Sequence, residues 1–364
     1  MSPSWRTSIN QINPYIPGKS IEDVKNEYHL EKVIRLASNE NQFGASPKAI
    51  AAAESSLKHC SFYPDSTAKT LRDILAKFHG VFPEEVITAN GADEILSLII
   101  SAYINEGDEV IYCNPTFSSY RINSLLMGGV PVEVPMLPDW RYNLEGILDS
   151  ITTKTKMIFI CNPNNPTSTI VSREELLSFL DEVPDYVQVV MDEAYIEYTD
   201  KQEAVLTGIN FLKQNYPVMT VRTFSKYYGL AGLRMGYVIA KESSLEPILR
   251  IRPPFANSAP AIEAAKQALL DQEYSEKHLK EIEDGKHYLI KELTKLGYDV
   301  TPSHTNFLFV HLKEQVIGLF EKLLEKGFII RPCSPWGLEE YARITVGTEE
   351  QNISFIQALQ SLNR

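Results

Sequence analysis

The chain has 364 residues, which is more than one minimal core needs and fits one large and one smaller domain. Hydrophobic residues make up 44% of the sequence and charged residues 23%, proportions typical of a soluble globular protein. A formal net charge of -12 argues against a nucleic-acid-binding protein, which would present a basic surface, but leaves room for a local basic pocket.

The amino terminus contains no apolar stretch, so we expect no signal peptide, and the longest apolar runs are too short to cross a bilayer. The four cysteines lie far apart and form no CxxC pair: Cys60, Cys113, Cys161 and Cys333. These features predict a cytoplasmic protein with reduced, buried thiols, without a metal site and without a membrane or nucleic-acid partner. A disulfide or a zinc site remains the alternative for the cysteines.

Prolines interrupt residues 1–40, where we expect an irregular N-terminal arm. Helices are predicted next at 47–58 and 67–79, and from residue 86 short apolar runs alternate with amphipathic segments. The predicted strands are at 86–88, 109–113, 130–134, 157–161, 187–191, 218–223 and 237–240, and the helices between them are at 93–104, 118–127 and 173–182. Most of these strands are almost entirely apolar, as in strands buried on both faces of a parallel sheet.

This alternation predicts an α/β fold whose large domain, residues 41–258, has a mostly parallel, doubly wound sheet. The pattern changes at residue 259, and a smaller α+β domain is predicted over residues 259–364. Its predicted helices are at 259–270, 275–296 and 349–362, and its strands at 298–301, 306–311, 328–331 and 341–346. Whether the arm packs with this smaller domain is left open.

The most informative segment is residues 222–236, RTFSKYYGLAGLRMG. The Lys226 amine can form a Schiff base with an aldehyde cofactor, while Thr223, Ser225 and Arg234 match a phosphate site. Pyridoxal phosphate is the cofactor that carries both groups. An ordinary surface lysine is the alternative, which these neighbours disfavour. Phe117 could lie flat against a pyridine ring, and it is equally consistent with a core position.

Asp192 ends an apolar run, and Tyr195 lies three residues further on. A carboxylate at the end of a buried strand is costly unless it is paired, and a pyridinium N–H would be such a partner. Ionised Asp192 would keep the ring protonated, and Tyr195 could hydrogen-bond the phenolate oxygen of the cofactor. A helix N-cap is the alternative for Asp192.

Two turns follow predicted strands of the same sheet. Residues 90–93, Asn-Gly-Ala-Asp, begin a helix whose free N–H groups would attract phosphate, although such turns often only cap a helix. Residues 162–167, Asn-Pro-Asn-Asn-Pro-Thr, form a rigid polar turn that composition alone does not distinguish from a plain loop. Ligands in open α/β sheets bind at the carboxyl ends of strands. Together with Lys226, the position of these turns after strands therefore favours a functional role for both.

In this order the motifs resemble the fold-type-I pyridoxal-phosphate aminotransferases over nearly the whole chain. Segments 14–19, 34–41, 63–65 and 250–255 are most similar to the histidinol-phosphate aminotransferases. The resemblance implies that Lys226 carries the cofactor and shuttles a proton, that Asp192 pairs with the ring nitrogen, and that Asn165 and Tyr195 hold its phenolate oxygen. It places Phe117 on the ring and the following residues around the cofactor phosphate: Gly91, Ala92, Asp93, Thr223, Ser225 and Arg234.

The resemblance also implies a homodimer with shared sites, in which Tyr63 reaches the phosphate of the neighbouring subunit; an ordinary buried tyrosine is the alternative. Arg343 matches the arginine that grips the substrate carboxylate in many aminotransferases, and here it would bind the phosphate of histidinol phosphate. Arg331 would be a second clamp, although each arginine could instead form a structural ion pair. Tyr15 and Asn39 would close over the substrate.

The implied reaction is a ping-pong transamination between histidinol phosphate and 2-oxoglutarate, which leaves as glutamate. An aromatic-amino-acid aminotransferase and a threonine-phosphate decarboxylase remain alternatives on the same scaffold. A ligand-binding regulator would need a DNA-binding domain, and no helix-turn-helix pattern precedes the core. A catalytically inactive scaffold is disfavoured by the presence of Lys226 and Asp192.

One residue departs from the family pattern, because Ser168 stands where the family usually has glycine. If that position requires a positive φ, serine costs about 1 kcal/mol there.

Overall fold

The computed structural model describes residues 5–14, 18–199, 207–313 and 316–362. Its strands are β1 (Ile34–Arg35), β2 (Val86–Ala89), β3 (Glu109–Asn114), β4 (Val130–Pro135), β5 (Thr155–Cys161), β6 (Gln188–Asp192), β7 (Val218–Thr223), β8 (Gly236–Ile239), β9 (Asp299–Val300), β10 (Phe307–His311), β11 (Phe328–Ile329), β12 (Arg331–Cys333) and β13 (Leu338–Thr345). Its helices are α1 (Ile21–Tyr28), α2 (Pro47–Ser56), α3 (Lys69–His79), α4 (Ala92–Tyr103), α5 (Ser119–Met127), α6 (Leu144–Asp149), α7 (Arg173–Glu182), α8 (Gly208–Lys213), α9 (Glu242–Ile251), α10 (Ala259–Leu270), α11 (Gln272–Lys295), α12 (Val316–Glu325) and α13 (Glu349–Leu362).

A seven-stranded sheet in the order β2-β8-β7-β6-β5-β3-β4 forms the centre of the molecule. Strands β4, β3, β5, β6 and β7 pair in parallel, whereas β8 is antiparallel to both of its neighbours. Every residue of β2, β7 and β8 is buried, which explains why these segments are nearly continuous apolar runs. The predicted α/β class with a mostly parallel sheet is confirmed.

The carboxyl ends of the parallel strands lie side by side at one edge of this sheet. Cys161, the last residue of β5, is in register with Asp192, the last residue of β6, and Asp192 is in register with Val221 on β7. Residues that follow these strands are therefore neighbours in space although they are far apart in the sequence. The candidate functional residues identified from the sequence follow these strands and therefore lie at this edge.

A second, antiparallel sheet has the order β12-β13-β10-β9. The single strand predicted at 328–331 was wrong, because the chain changes partner at Ile330. Strand β11 pairs with β1 in parallel, and β12 pairs with β13 instead. The domain limits at residues 40 and 258 stay predictions.

The irregular structure predicted for residues 1–40 was wrong at α1, at β1 and at Thr7–Gln11, which form a 3₁₀ helix. Helix α1 begins with a capping box, in which the Ser20 side chain accepts from the Asp23 N–H and the Asp23 carboxylate accepts from the Ser20 N–H. Val24 on this helix is buried in a small cluster with Leu324 and Ile329. The arm thus packs against the C-terminal part of the chain.

All four cysteines are free thiols; Cys113, Cys161 and Cys333 are buried, but Cys60 is exposed, so the prediction of buried thiols was wrong for that residue. Within the described ranges, no helix combines the length and the apolar character that a bilayer span requires. No group of three or more His, Cys, Asp or Glu side chains in the same ranges could hold a metal ion.

Candidate active site

Lys226 lies in the loop that follows β7, at the carboxyl edge of the central sheet. Its Nζ donates to the carbonyl oxygen of Ser38 at 3.3 Å and lies 5.7 Å from the centre of the Tyr195 ring. Burial, and secondarily the Arg343 guanidinium, lower the pKa of Lys226 to about 8. A lowered pKa makes more of the amine neutral near pH 7, which a nucleophile and a proton acceptor both require.

Asp192 is 3% exposed at the end of β6. Its Oδ2 accepts a hydrogen bond from the Tyr120 hydroxyl at 2.7 Å, and its Oδ1 accepts one from the Ala194 N–H at 3.2 Å. Burial raises the pKa of Asp192 to about 6, and the hydrogen bond from Tyr120 opposes this. Ionising a carboxyl group at this depth calls for a cationic partner, and a pyridinium N–H meets that need.

An anion cradle lies where α4 begins, and we define it as Gly91, Ala92, Asp93, Thr223, Ser225 and Arg234. Arg234 donates from Nη1 to Ser225 Oγ at 3.3 Å, and its Nη2 lies 3.5 Å from Asp93 Oδ2. The N–H groups of the first turn of α4 belong to the same cradle, and a helix N-terminus favours negative charge.

Two glycines make this cradle possible. Gly91 has φ +89°, and a Cβ there would come within 2.5 Å of Arg234 Nη2. A Cβ on Gly236 would come within 2.6 Å of the Ala92 nitrogen. The backbone at Gly91 therefore approaches the guanidinium, and the backbone at Gly236 approaches the start of α4, more closely than any other residue would permit. A phosphate group fits this set of donors.

Tyr195, Asn165 and Asn39 lie between the lysine and the second sheet. Asn39 Nδ2 donates to the Tyr195 hydroxyl at 2.8 Å, and the Asn39 N–H donates to Thr345 Oγ1 at 3.0 Å. Burial raises the pKa of Tyr195 to about 12, so its phenol keeps the proton and can donate it to an oxyanion. Asn165 Oδ1 accepts from Arg343 Nη1 at 2.5 Å.

Arg343 and Arg331 are cross-strand neighbours, since they are in register on β13 and β12. Arg343 also donates from Nη2 to the Ala37 carbonyl oxygen at 2.7 Å, and its guanidinium carbon lies 5.4 Å from the centre of the Phe307 ring. Like charges directly opposite each other on adjacent strands are destabilising. An anion bound between the two guanidiniums would offset that repulsion.

Phe117 lies in the same region, partly buried, with its ring edge-on to Tyr120 at 5.9 Å. Tyr63 is 82% exposed and stacks on Phe255 at 4.5 Å, so the alternative of an ordinary buried tyrosine was wrong. No contact joins Tyr63 to the anion cradle in the part of the chain that the structure describes. Tyr15 lies outside the described residues.

Ser168 has φ +63°, as the comparison with the family pattern anticipated. Its side chain is fully buried and donates to the Thr167 carbonyl oxygen at 2.6 Å, while its own carbonyl accepts from the His304 N–H at 2.9 Å. Serine keeps the turn in the left-handed region, with Asn165 in place three residues earlier.

Sequence reasoning missed two residues. Tyr120 contacts Asp192, but its place in an amphipathic helix gave no sign of a polar role. Trp336 donates from Nε1 to the Thr116 carbonyl oxygen at 2.7 Å, linking the turn between β12 and β13 to the segment before Phe117. Neither contact has a local sequence signal, because each depends on how distant segments pack.

A lysine amine, a buried carboxyl group and an anion cradle thus meet at one edge of the sheet, and this donor set fits a phosphorylated pyridine aldehyde. The sequence matches the family described as aminotransferase class I and II over residues 31–359. The chain therefore belongs to the class I and II aminotransferases, and the prediction of an aminotransferase is confirmed.

Individual members of this class are also similar to the chain. The histidinol-phosphate aminotransferase of Halalkalibacterium halodurans is 42% identical over 354 residues, which cover 97% of this chain and 95% of that protein. The solved structure of histidinol-phosphate aminotransferase from Sinorhizobium meliloti, in complex with pyridoxal-5'-phosphate, covers 100% of this chain and 98% of its own, with a TM-score of 0.90 and 24% identity. L-threonine-O-3-phosphate decarboxylase from Porphyromonas gingivalis has a TM-score of 0.81 and 27% identity, covering 91% and 99% of the two chains. The predicted fold type I is confirmed.

Proposed function

We propose that this protein is a pyridoxal-phosphate-dependent aminotransferase that transfers the amino group between histidinol phosphate and 2-oxoglutarate. The observation that carries the proposal is the full-length relatedness to a histidinol-phosphate aminotransferase, reported above. In the biosynthetic direction, glutamate donates its amino group to imidazole acetol phosphate and histidinol phosphate is formed, a step of histidine biosynthesis.

When bound, pyridoxal phosphate supplies an aldehyde for an amine and a ring that accepts electrons. Lys226 would hold the aldehyde, Asp192 the ring nitrogen, and Tyr195 and Asn165 the phenolate oxygen. The anion cradle would hold the phosphate, and Phe117 would pack against the ring face. These roles are supported by the convergence of the side chains on one sheet edge and by the donor or acceptor that each one offers.

Lys226 is the group that we propose to move the proton at the substrate Cα. Its pKa near 8 leaves an appreciable neutral fraction at neutral pH, so it can accept that proton and later return it. General-base transfer of this kind contributes about 100- to 10,000-fold to the rate. Asp192 favours the proton on the ring nitrogen and so keeps the ring able to take up charge.

The arginine pair on β12 and β13 is where we propose that substrates are distinguished. Two guanidiniums suit a phosphate dianion through several charge-assisted hydrogen bonds. Arg343 would also take the carboxylate of glutamate or 2-oxoglutarate in the second half of the reaction. A substrate without an anionic tail would forgo these charge-assisted hydrogen bonds.

We also propose a homodimer with shared sites, located in the cytoplasm. Support comes from an exposed aromatic surface that is unusual on a monomer: Phe62 is 74%, Tyr63 82% and Phe255 41% exposed. In such a dimer Tyr63 would extend to the cofactor phosphate of the partner.

A transamination assay with histidinol phosphate and 2-oxoglutarate, following glutamate formation, tests the proposed activity. We expect kcat/KM for histidinol phosphate to exceed that for phenylalanine. A clear preference for phenylalanine would make the protein an aromatic-amino-acid aminotransferase. Release of carbon dioxide from threonine phosphate, without transfer to a keto acid, would make it a decarboxylase.

A further inference from the structure

The Tyr120 hydroxyl lies against Asp192, the carboxyl group assigned to the cofactor ring. Tyr120 is on α5 and fully buried, and its hydroxyl donates to Asp192 Oδ2 at 2.7 Å. Burial and the nearby Asp192 raise the pKa of Tyr120 well above its usual range, so the hydroxyl keeps its proton. A phenol that keeps its proton beside a carboxylate acts as the hydrogen-bond donor.

The aromatic ring of Tyr120 is fixed on several sides. It stacks on Phe159 at 4.5 Å with an interplanar angle of 7°, and it meets Phe117 edge-on at 5.9 Å and 85°. The Tyr112 ring lies 6.0 Å away on another side. Close packing of this kind holds the ring in place with its hydroxyl beside Asp192.

The charged surroundings of Asp192 do little to stabilise its ionised form. The carboxylates of Asp93 and Glu193 raise its pKa, and burial raises it most. The Tyr120 hydroxyl and the Ala194 N–H act in the opposite direction. Two further ionisable neighbours, the Cys161 thiol and the Tyr195 phenol, both have a pKa raised to about 12.

We propose, building on the proposed function, that Tyr120 is a positioning residue that keeps Asp192 ionised and its Oδ2 occupied, so that the carboxylate holds a proton on the cofactor ring nitrogen. One proton is shared between this carboxyl group and the ring. A donor on the carboxylate favours the arrangement with the proton on the ring. Because Tyr120 also contacts Phe117, one buried side chain supports two of the groups expected around the ring.

The size of the effect of Tyr120 on the shared proton follows from the strength of a hydrogen bond to a charged group. Removing the hydroxyl shifts the ratio of ring-bound to carboxyl-bound proton toward the carboxyl group by roughly 10- to 100-fold. A purely structural tyrosine would leave this ratio unchanged.

The test is the ¹⁵N chemical shift of the ring nitrogen of ¹⁵N-labelled pyridoxal phosphate bound to the full-length protein, which reports where the shared proton lies. We expect the resonance in Tyr120→Phe to move from its position in the unmodified protein toward that of an unprotonated pyridine nitrogen. Tyr112→Phe is the matched control, since Tyr112 is also buried and next to Tyr120 but donates to Glu133 Oε1 at 3.2 Å. An unchanged ring-nitrogen resonance in Tyr120→Phe, or an equal movement in Tyr112→Phe, would overturn the proposal.

A second variant keeps the ring in place. Replacing Tyr120 by 3-fluorotyrosine makes the phenol a stronger donor, so the ring nitrogen should be at least as fully protonated as in the unmodified protein; a movement of its resonance toward the unprotonated position would also overturn the proposal. Both measurements require bound cofactor but no substrate. Failure of histidinol phosphate to react would therefore count against the proposed function alone, and an unchanged ring nitrogen against the role of Tyr120 alone.

Discussion

Asn39 donates a hydrogen bond to the Tyr195 hydroxyl at 2.8 Å and so joins the N-terminal part of the chain to the carboxyl edge of the central sheet. The Asn39 carbonyl accepts from Asn306 Nδ2 at 3.1 Å, and its N–H donates to Thr345 Oγ1. Asn39 has φ +54°, a conformation that asparagine adopts more readily than most residues. A residue assigned to the substrate is therefore also a support for Tyr195.

Two replacements of Asn39 separate the effect of its side-chain donor from the effect of its backbone conformation. Asn39→Gly keeps the backbone conformation and removes the donor, so we expect kcat to fall about 10-fold, the value of one hydrogen bond. Asn39→Ala removes the same donor and adds about 1 kcal/mol of backbone strain. Urea unfolding should show Asn39→Ala less stable than Asn39→Gly. An unchanged kcat in Asn39→Gly would show that the contact has no such role, and equal stability of the two variants would show that the backbone conformation costs alanine nothing.

Asp192→Asn should make the cofactor-free protein more stable above about pH 6. The pKa of Asp192 is raised to about 6 in the folded state, so the folded protein binds more protons than the unfolded one between about pH 4 and 6. Stability contributed by the protonated group is therefore lost as pH rises through 6, by about 3 kcal/mol at most. Asparagine does not ionise and escapes this loss.

The measurement for Asp192→Asn is urea unfolding of the cofactor-free proteins at pH 5 and pH 8. The stability difference in favour of asparagine should appear at pH 8 and shrink at pH 5. Pyridoxal phosphate should bind the variant more weakly. A wild-type protein as stable as the variant at pH 8 would show that Asp192 ionises without cost.

Arg343→Ala should raise KM for histidinol phosphate and for 2-oxoglutarate, each by roughly 10- to 100-fold, because charge-assisted hydrogen bonds to both anions are lost. Arg331→Ala is the matched variant on the neighbouring strand. We expect it to affect the phosphate substrate more than the dicarboxylate. Steady-state kinetics with both substrates measure these effects, and unchanged KM values in Arg343→Ala would remove that residue from the substrate site.

Subunit mixing tests the shared site. A mixed dimer of Lys226→Ala and Tyr63→Ala subunits would contain one site with both changes and one with neither. If Tyr63 acts across the interface, the mixed dimer should recover about half of the wild-type activity although each parent is impaired. Activity no higher than that of the Tyr63→Ala parent would place Tyr63 in its own subunit's site or outside any site.

The local pattern of the sequence predicted much of this structure. The helices at 173–182, 259–270 and 349–362 and the strand at 218–223 have the predicted bounds, because their apolar periodicity and flanking caps agree. Lys226 and Asp192 lie at one edge because the parallel strands β7 and β6 both end there, and Arg234 lies at the same edge because it precedes β8, which is antiparallel to β7 and begins there.

Contacts between distant segments were not predictable in this way. The pairing of β1 with β11, the break at Ile330 and the opposition of Arg331 and Arg343 all depend on which strands become neighbours. Tyr120 occupies a helical position whose pattern predicts a core residue. The contact of its hydroxyl with Asp192 depends on how distant segments pack. Helix α1 is different, because its capping box of Ser20 and Asp23 is a local sequence signal that predicts a helix start at this point.

The proposed function requires the Lys226 amine to carry the cofactor. Borohydride reduction of the protein with pyridoxal phosphate, followed by peptide mapping by mass spectrometry, tests this requirement. We predict a cofactor adduct on Lys226, and in Lys226→Ala neither that adduct nor visible cofactor absorbance, with turnover reduced by several orders of magnitude. An adduct on a different lysine, or none on the unmodified protein, would rule out this role for Lys226.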